Sequence, residues 1–519
     1  MKRLTVASPP VPAAASGASP ATRLCPFELA FLGALALLAR TFNLGRFSLW
    51  VDEILLVLRS HGSPAQVWAA SHMNAEHPPL AALAMSGMHA LGAGDTTQRL
   101  LPTGLGVASV VLTASWTARH FGRLAGLASG LVLALLPFHV RYSQELRPYA
   151  YLLFFAALTL VAVDRVERRP DAASAALLFA ALLGGLYSHY LFALVLVPAS
   201  WPLVEAACRG GEQRAAARRT LRWVAGSVGA ALLLFVPWIL GVAATLAARR
   251  PAAPARPWMP EGILERAQFL TTGGIEGDAF SWAGAFALAL LLVGATAALR
   301  GSRGRAALAG LLTGSVIVEL VLRAARHWSN GRYDTLSAPF IGVLVGVGIA
   351  RLATGWPHGS RRAGRAVAAA ALAALLAGEV GGLLRYARGG RPDWDRVAAA
   401  VRQARRPGEP LLVENEWTRI SLGYYLQGPD FAARAGEDGA PRVLGAAPAN
   451  VGALWPPERS ALLVTAGYPG KAWLRRWARS ATPLAHSRRS HARLVRLAPE
   501  LRRQLGAPLP PIDSGAAVR

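Results

Sequence analysis

The first long apolar run of the chain leads directly to a pair of acids, in FELAFLGALALLARTFNLGRFSLWVDEILLVLRS, residues 27–60. A helix needs about 17–25 mostly apolar residues to span a bilayer, and the run that begins at Phe27 fits this length. Asp52 and Glu53 follow it closely, so the sequence predicts two adjacent carboxylates at a membrane surface. Similar apolar runs recur as far as about residue 384, which is typical of a polytopic α-helical membrane protein.

Composition supports this class. Of the 519 residues, 53% are hydrophobic and 16% are charged, whereas soluble domains carry about 25% charged residues. The net charge of +26 comes almost entirely from Arg, and the Arg-rich short loops between apolar runs orient the chain in the membrane. No basic groove with interleaved aromatic residues accompanies it, which argues against a nucleic-acid-binding protein. Cys25 and Cys208 form no metal-binding spacing.

Arg-rich short loops indicate the cytoplasmic side of the membrane. Five such loops lie at residues 118–123, 164–171, 208–222, 300–305 and 358–365. They all face the same side if about eleven helices span near residues 27–43, 98–117, 124–140, 149–163, 173–188, 190–207, 223–245, 279–299, 306–322, 336–353 and 366–384. This arrangement places the N-terminus inside and the C-terminus outside.

The same topology requires that residues 80–92 do not cross the membrane. This apolar segment is too short to span comfortably, so we expect an interfacial or re-entrant helix. The predicted domains are a disordered cytoplasmic N-terminus (1–24), a transmembrane domain (25–386) with a long first external loop (44–97), and a small extracytoplasmic α/β domain (387–519). For the last of these, the pattern predicts a helix at 393–404 and strands at 410–417 and 461–467.

The predicted external face collects polar residues with two possible interpretations each. Asp52 and Glu53 fit the first turn of a helix, where acids complement the helix dipole, but they also fit a functional site. His77, in NAEHPPL (74–80), is either part of a simple turn or a side chain held by the prolines after it.

Two further segments belong to the same face. Glu145, in RYSQELRPY (141–149), either forms a local ion pair with Arg141 or Arg147 or serves a polar cavity. Arg332, in HWSNGRYDTLSAPF (327–340), is either a phosphate ligand or an interfacial anchor.

Together these motifs resemble the bacterial family 39 glycosyltransferases. These enzymes have the GT-C architecture and are related to protein O-mannosyltransferases and to the aminoarabinose transferase that acts on lipid A. The resemblance rests on the acidic pair, on HPPL (77–80), on SQELRPY (143–149) and on RYDTLSAP (332–339), in that order. It extends over about residues 27–430 and includes LGYYL (422–426).

The resemblance implies transfer of a sugar from a polyprenyl-phosphate carrier to an acceptor on the outer side of the bacterial inner membrane, usually with inversion. Asp52 matches the acid expected to deprotonate the acceptor hydroxyl, and Glu53 would orient the site. Arg332, Arg147 and His77 are the candidates that would bind the donor phosphate. The acceptor would be a lipid, a glycan or a protein.

Whether a cofactor takes part stays open at this point. Glu145 matches an acidic position that some GT-C members use near a divalent metal, and Asp52 is the other candidate ligand, but two carboxylates are too few to name an ion. Two other function classes also remain. A transporter has little support, since Glu28 and Glu319 have no evident partner. A catalytically silent relative that binds a polymer or a partner would be favoured if Asp52 pointed away from Arg332.

Overall fold

In a computed structural model, the chain forms a bundle of long helices and a five-stranded sheet near its C-terminal end. The structure describes residues 23–209, 212–248, 282–324, 331–355, 360–389, 391–434, 440–443, 454–456, 458–466, 481–487 and 492–499. Nearly all of the predicted disordered segment 1–24, and most of the connection between the predicted spans 223–245 and 279–299, lie outside the described residues.

The helical part contains seventeen α-helices over the described residues. They are α1 (Pro26–Thr41), α2 (Val51–Arg59), α3 (Pro64–Asn74), α4 (Leu80–Ala90), α5 (Asp95–Gln98), α6 (Leu100–Phe121), α7 (Arg123–Leu135), α8 (Pro137–Gln144), α9 (Tyr149–Arg168), α10 (Ala172–Leu186), α11 (Leu196–Arg209), α12 (Glu212–Ala248), α13 (Trp282–Ala298), α14 (Ser302–Leu312), α15 (Val318–Ala324), α16 (Ala338–Thr354) and α17 (Arg361–Gly389). Two 3-10 turns, Tyr190–Val195 and Gly331–Ser337, precede α11 and α16.

Every predicted span coincides with a helical segment. By length and composition, seven helical segments of the described chain can cross a membrane, or eight if the bent pair α7–α8 is one span. The other three predicted spans fall on α1, α10 and α13, which are 16, 15 and 17 residues long. The polytopic helical architecture is therefore confirmed, while the count of eleven stays a prediction. Helix α4 has 11 residues, as expected for a segment that does not cross.

Prolines shape one end of the bundle. Helices α7 and α8 meet at an angle of 57°, because Pro137 has no amide hydrogen to continue α7. Helix α8 ends at Gln144, and Pro148 precedes α9. Residues 145–148 are thus a short non-helical connection that places Glu145 and Arg147 at the entrance to a buried helix.

A small α/β unit follows α17; we use the name C-terminal unit for the described residues from 391 onwards. It contains α18 (Trp394–Ala404), α19 (Glu416–Gln427), β1 (Leu411–Val413), β2 (Arg442–Val443), β3 (Ala461–Ala466), β4 (Thr482–Ser487) and β5 (Ala492–Leu497). The strand order is β2-β1-β3-β5-β4, with β1 parallel to β2 and β3, and β5 antiparallel to β3 and β4. The predicted small α/β fold is confirmed.

One boundary in this unit differs from the prediction. The strand expected over 410–417 ends at Val413, and α19 begins at Glu416. The side chain of Asn415 accepts a hydrogen bond from the Thr418 amide at 2.9 Å, which satisfies a free N–H at the start of the helix. Ile420 of this helix belongs to one buried apolar cluster with Leu49 and Ile54 of the predicted first external loop, so the unit lies against that loop.

Candidate active site

Three separate segments bring charged side chains together at the start of α2. Arg332 donates from Nη1 to Oδ2 of Asp52 at 2.7 Å, and Nη2 of Arg147 lies 3.7 Å from the same oxygen. Arg147 also donates from Nη1 to the Asp52 carbonyl at 3.2 Å. One carboxylate therefore faces two guanidinium groups that lie 95 and 280 positions further along the chain. We call Asp52, Arg332, Arg147, Glu76 and His77 the Asp52 cluster.

Arg332 lies between aromatic rings as well as beside the acid. Its guanidinium carbon is 5.7 Å from the ring centre of Trp50 and 5.6 Å from that of Tyr333, within the range of cation–π attraction. Arg332 thus has the aromatic neighbours expected of an interfacial anchor, and its guanidinium also faces a carboxylate. A cation held in this way by rings and by one acid can also bind an anionic ligand.

Arg147 is the centre of the cluster. Its Nη2 lies 3.4 Å from Oε1 of Glu76, and Glu76 in turn accepts from Arg59 at 2.8 Å. Burial opposes ionisation of Glu76, but the charges of Arg147 and Arg59 outweigh it and hold the pKa of Glu76 well below its usual range. In the same way, Asp52 and Glu76 overcome the effect of burial and raise the pKa of Arg147, so this guanidinium stays charged.

His77 takes part as a neutral group. Arg147 donates from Nη2 to Nε2 of His77 at 3.0 Å, and because a guanidinium cannot accept, the ring proton of His77 must be on Nδ1. The enclosed position of the ring and the charge of Arg147 hold the pKa of His77 well below its ordinary value. His77 can therefore offer a phosphate a hydrogen bond but no charge, which limits the role expected for it from the sequence.

A second neutral imidazole lies next to His77. The rings of His77 and His189 are 4.9 Å apart, and the Leu191 amide donates to Nδ1 of His189 at 3.2 Å. Burial and the charge of Arg147 lower the pKa of His189 to about 3. The SHY segment (188–190) is thus brought to the same place as the HPPL motif.

Glu53 has a different environment from its neighbour Asp52. Its side chain is fully buried, and Arg99 donates to both carboxylate oxygens, at 3.2 and 3.1 Å. The amides of Leu146 and Trp50 also donate to it, at 2.9 and 3.3 Å. Burial alone would raise the pKa of Glu53, but the charges of Arg99 and Arg391 and these hydrogen bonds lower it. The hydrogen bonds of Glu53 thus link α2 to Arg99, directly before α6, and to the connection at 145–148.

Glu145 belongs to the same buried group. Arg141 donates to its Oε1 at 3.1 Å, which is the local ion pair that the sequence allowed, and Nη2 of Arg391 lies 3.6 Å from Oε1. Nη1 of Arg391 is also 3.7 Å from Glu53, so one guanidinium bridges the two buried acids. We call Glu53, Arg99, Arg391, Glu145 and Arg141 the Glu53 cluster.

The two carboxylates proposed as metal ligands do not fit a divalent cation in this arrangement. Asp52 is paired with Arg332, and Glu145 with Arg141 and Arg391, so guanidinium groups occupy the positions where a cation would compete. Within the ranges that the structure describes, no group of three or more His, Cys, Asp or Glu side chains is arranged to hold a metal ion.

Sequence reasoning did not find Arg99, Arg391 and Arg59. Arg99 could have been noticed, because a single Arg at the start of an apolar run is costly unless it is paired. Another overlooked group is Glu379, inside the predicted span 366–384, which is buried. The partners that the sequence did not reveal for Glu28 and Glu319 are Arg123 and Arg323.

Comparison with known proteins begins with the sequence. Residues 76–241 match a family model described as dolichyl-phosphate-mannose-protein mannosyltransferase. This segment includes Glu76, His77, Glu145, Arg147 and His189. No curated protein matches the chain significantly.

Solved structures extend the similarity to most of the chain. The crystal structure of ArnT from Cupriavidus metallidurans in the apo state matches with a TM-score of 0.56 and 17% identity, over 91% of this chain and 98% of that chain. The chain has the GT-C fold. ArnT bound to undecaprenyl phosphate matches this GT-C chain with a TM-score of 0.53, at the same identity and coverage. The protein O-mannosyltransferase complex of S. cerevisiae bound to its sugar donor covers 42% of the chain at 18% identity, with a TM-score of 0.33.

The family-model match and the ArnT structure confirm the expected resemblance and support an integral membrane protein of the glycosyltransferase class. At these sequence identities the solved structures establish only the fold. The roles of individual residues are inferred from the contacts within this chain.

Proposed function

We propose that the protein transfers a sugar from a polyprenyl-phosphate donor to an acceptor hydroxyl at the outer face of the bacterial inner membrane, with the N-terminus in the cytoplasm. The observation that carries the proposal is the placement of Asp52 between Arg332 and Arg147, at 2.7 and 3.7 Å. A base and two fixed cations in contact are what transfer from a phosphate leaving group requires.

The chemistry assigned to these residues is a single displacement. The Asp52 carboxylate takes the proton of the acceptor hydroxyl while the oxygen of that hydroxyl forms a bond to the anomeric carbon of the sugar. The bond from that carbon to the phosphate oxygen breaks, and the electron pair leaves with the lipid phosphate. Arg332 and Arg147 stabilise the charge that collects on the phosphate. A single displacement inverts the configuration at the anomeric carbon.

The ion pair between Asp52 and Arg332 also favours an order of binding. While Arg332 donates to Oδ2 of Asp52, this carboxylate oxygen is engaged by the guanidinium group. A donor phosphate competes for the same guanidinium, so its binding frees Asp52 to accept a proton. We therefore expect the donor to bind before the acceptor reacts.

Support for catalysis over a silent relative comes from the same contact. A silent relative would be favoured by an Asp52 that points away from Arg332, and the two side chains are hydrogen-bonded.

The test is sugar transfer from a panel of radiolabelled polyprenyl-phosphate sugars, measured in membranes that contain the wild type or Asp52→Asn. Loss of the base should reduce the rate by about two or more orders of magnitude. Glu416→Gln is a matched control, since it also removes one external carboxylate that is paired with an Arg, in this case Arg419. Equal rates for wild type and Asp52→Asn would refute the base role, and transfer from no donor would refute the proposed activity.

A further inference from the structure

The C-terminal unit contacts the chain just before α2, at residues 47–49. The hydroxyl of Tyr425, in α19, accepts a hydrogen bond from the Leu49 amide at 2.5 Å. Ser48 contacts the carboxylate of Asp395, and its hydroxyl accepts from the Asp395 amide at 3.1 Å. Two helices of the C-terminal unit, α18 and α19, thus hold adjacent residues of the first external loop.

These contacts lie close to the candidate base. Leu49 is buried and precedes Trp50, the N-cap residue of α2, and Asp52 is in the first turn of that helix. The Leu49 amide precedes α2, so it has no place in that helix's hydrogen-bond ladder. Because a single α-helix moves as a rigid element, the position of residues 47–49 determines where the Asp52 carboxylate lies relative to Arg332.

Apolar side chains also connect the C-terminal unit to α2 and to Leu49 before it. Ile420 and Phe431 of the C-terminal unit belong to one buried cluster with Leu49, Ile54 and Val57. Burial raises the pKa of Tyr425, so its hydroxyl stays protonated and neutral at this interface. The contact is therefore insensitive to pH near neutrality.

A neighbouring residue offers an internal comparison. The hydroxyl of Tyr424 donates to Oδ1 of Asp95 at 2.9 Å, at the start of α5. Tyr424 and Tyr425 are adjacent in α19 and both bridge the C-terminal unit to the first external loop. They differ in that only the Tyr425 contact reaches the residues that lead into α2.

We propose that the C-terminal unit is a clamp on residues 47–49 that sets the position of the Asp52 carboxylate, with Tyr425 as a positioning residue. The catalytic part of this inference rests on the proposed function, whereas the structural part does not. The two parts can be measured separately with the variants Tyr425→Phe and Tyr424→Phe, each of which removes one hydroxyl and keeps the ring.

The first measurement is amide hydrogen exchange of residues 47–53 in the full-length protein, without substrate. Tyr425→Phe should accelerate exchange at Leu49 by about tenfold, because this amide loses its acceptor, and Tyr424→Phe should not. Ser48→Ala, which removes the contact with Asp395, should also accelerate exchange in residues 47–53. This variant replaces Tyr425→Phe in the experiment if Tyr425→Phe is poorly folded. Equal exchange in the wild type and these variants would overturn the clamp.

The second measurement is the rate of transfer. A small displacement of a catalytic group is expected to lower kcat by about 10- to 100-fold. Tyr425→Phe should show this loss with the donor KM nearly unchanged, while Tyr424→Phe keeps most of the wild-type kcat. Equal losses in both variants, or accelerated exchange with an intact kcat, would overturn the positioning role. Transfer by no variant, including the wild type, would refute the proposed function while the exchange result still decides the clamp.

Discussion

Asp52 and Glu53 are neighbours in the chain, yet they belong to two different clusters of charge. Consecutive helical residues are rotated by about 100°, so the two carboxylates leave α2 in different directions. The Asp52 side chain is 17% exposed, and that of Glu53 is 0% exposed. Asp52 faces cations near the surface, whereas Glu53 faces the junction between α2, α6 and residues 145–148.

This difference separates a group available for chemistry from a group that supports the structure. The hydrogen bonds of Glu53 come from Arg99 and from two backbone amides, none of which a ligand can replace without disrupting the fold. The hydrogen-bond partner of Asp52 is a guanidinium that an anionic ligand can share. Adjacent acids of similar chemistry therefore have different predicted sensitivities to mutation.

The largest expected effect is the loss of Glu53. Glu53→Ala removes a carboxylate that is paired with two buried guanidinium groups, those of Arg99 and Arg391. Breaking a buried ion pair lowers the free energy of unfolding by about 3–5 kcal/mol. We expect a large fall in the yield of folded protein and in the thermal unfolding midpoint in detergent. Glu416→Ala, at an exposed pair, should cost less than about 0.5 kcal/mol. A Glu53→Ala protein as stable as the wild type would contradict the supporting role.

Arg332 tests the other cluster and should affect activity more than folding. Arg332→Gln removes the charge that we propose lies beside the departing phosphate, and loss of one such group costs about 100- to 1000-fold in rate, or about 2.7–4 kcal/mol. Arg332→Lys restores a point charge without the planar donor pair, so it should recover part of the rate. The measurement is kcat for sugar transfer alongside thermal unfolding. Full activity in Arg332→Gln would remove Arg332 from the site.

The smallest expected effect is a dependence of stability on pH that arises beside the Asp52 cluster. The pKa of His189 is about 3 in the folded protein, against about 6.5 in an unfolded chain. The unfolded state therefore binds more protons as the pH falls below about 6.5, and the contribution of His189 to stability is present above that pH and is lost on acidification. His77, whose pKa is also lowered, acts in the same sense.

The pH range over which stability changes distinguishes the Glu53 cluster from the imidazoles beside Asp52. Glu53 has a lowered pKa, so its contribution is complete above its unfolded value of about 4.3 and is lost only in stronger acid. Between pH 7 and pH 5, the decline in unfolding midpoint should thus be smaller in His189→Asn than in the wild type, while Glu53→Gln should leave the slope unchanged. Asn can still accept the Leu191 amide, as His189 does. An unchanged slope in His189→Asn would contradict a neutral, buried imidazole.

The sequence predicted features of this chain that depend on local pattern. Each expected span coincides with a helix, and α4 has the length of a segment that does not cross. The strand expected over 410–417 was predicted too long, because the helix start at Asn415 depends on one side-chain hydrogen bond that an apolar pattern does not reveal. The resemblance placed Asp52, Arg147, Arg332 and His77 among the site candidates, and the structure brings these four together.

Which side chains form ion pairs and hydrogen bonds with one another could not be predicted from local sequence pattern. Arg147 was considered as a local partner of Glu145, but it contacts Asp52, Glu76 and His77. Arg391 lies beyond the last apolar run and bridges Glu53 and Glu145, which are far from it in the chain. Nothing in the spacing of these residues indicates the contacts, because they form only when separate loops close over the same helix end.

By itself, the sequence determined that this is a polytopic membrane protein with helices at these positions and with acids, Arg and His gathered on one face. These properties follow from hydropathy, which is read over a few turns of chain, and from the distribution of Arg among the short loops. The tertiary structure alone decided that Glu53 is buried among guanidinium groups and that Asp52 faces Arg332 near the surface. The reason is that the free energy of a charge depends on the partners and the solvent around it, and packing brings those partners from distant parts of the chain.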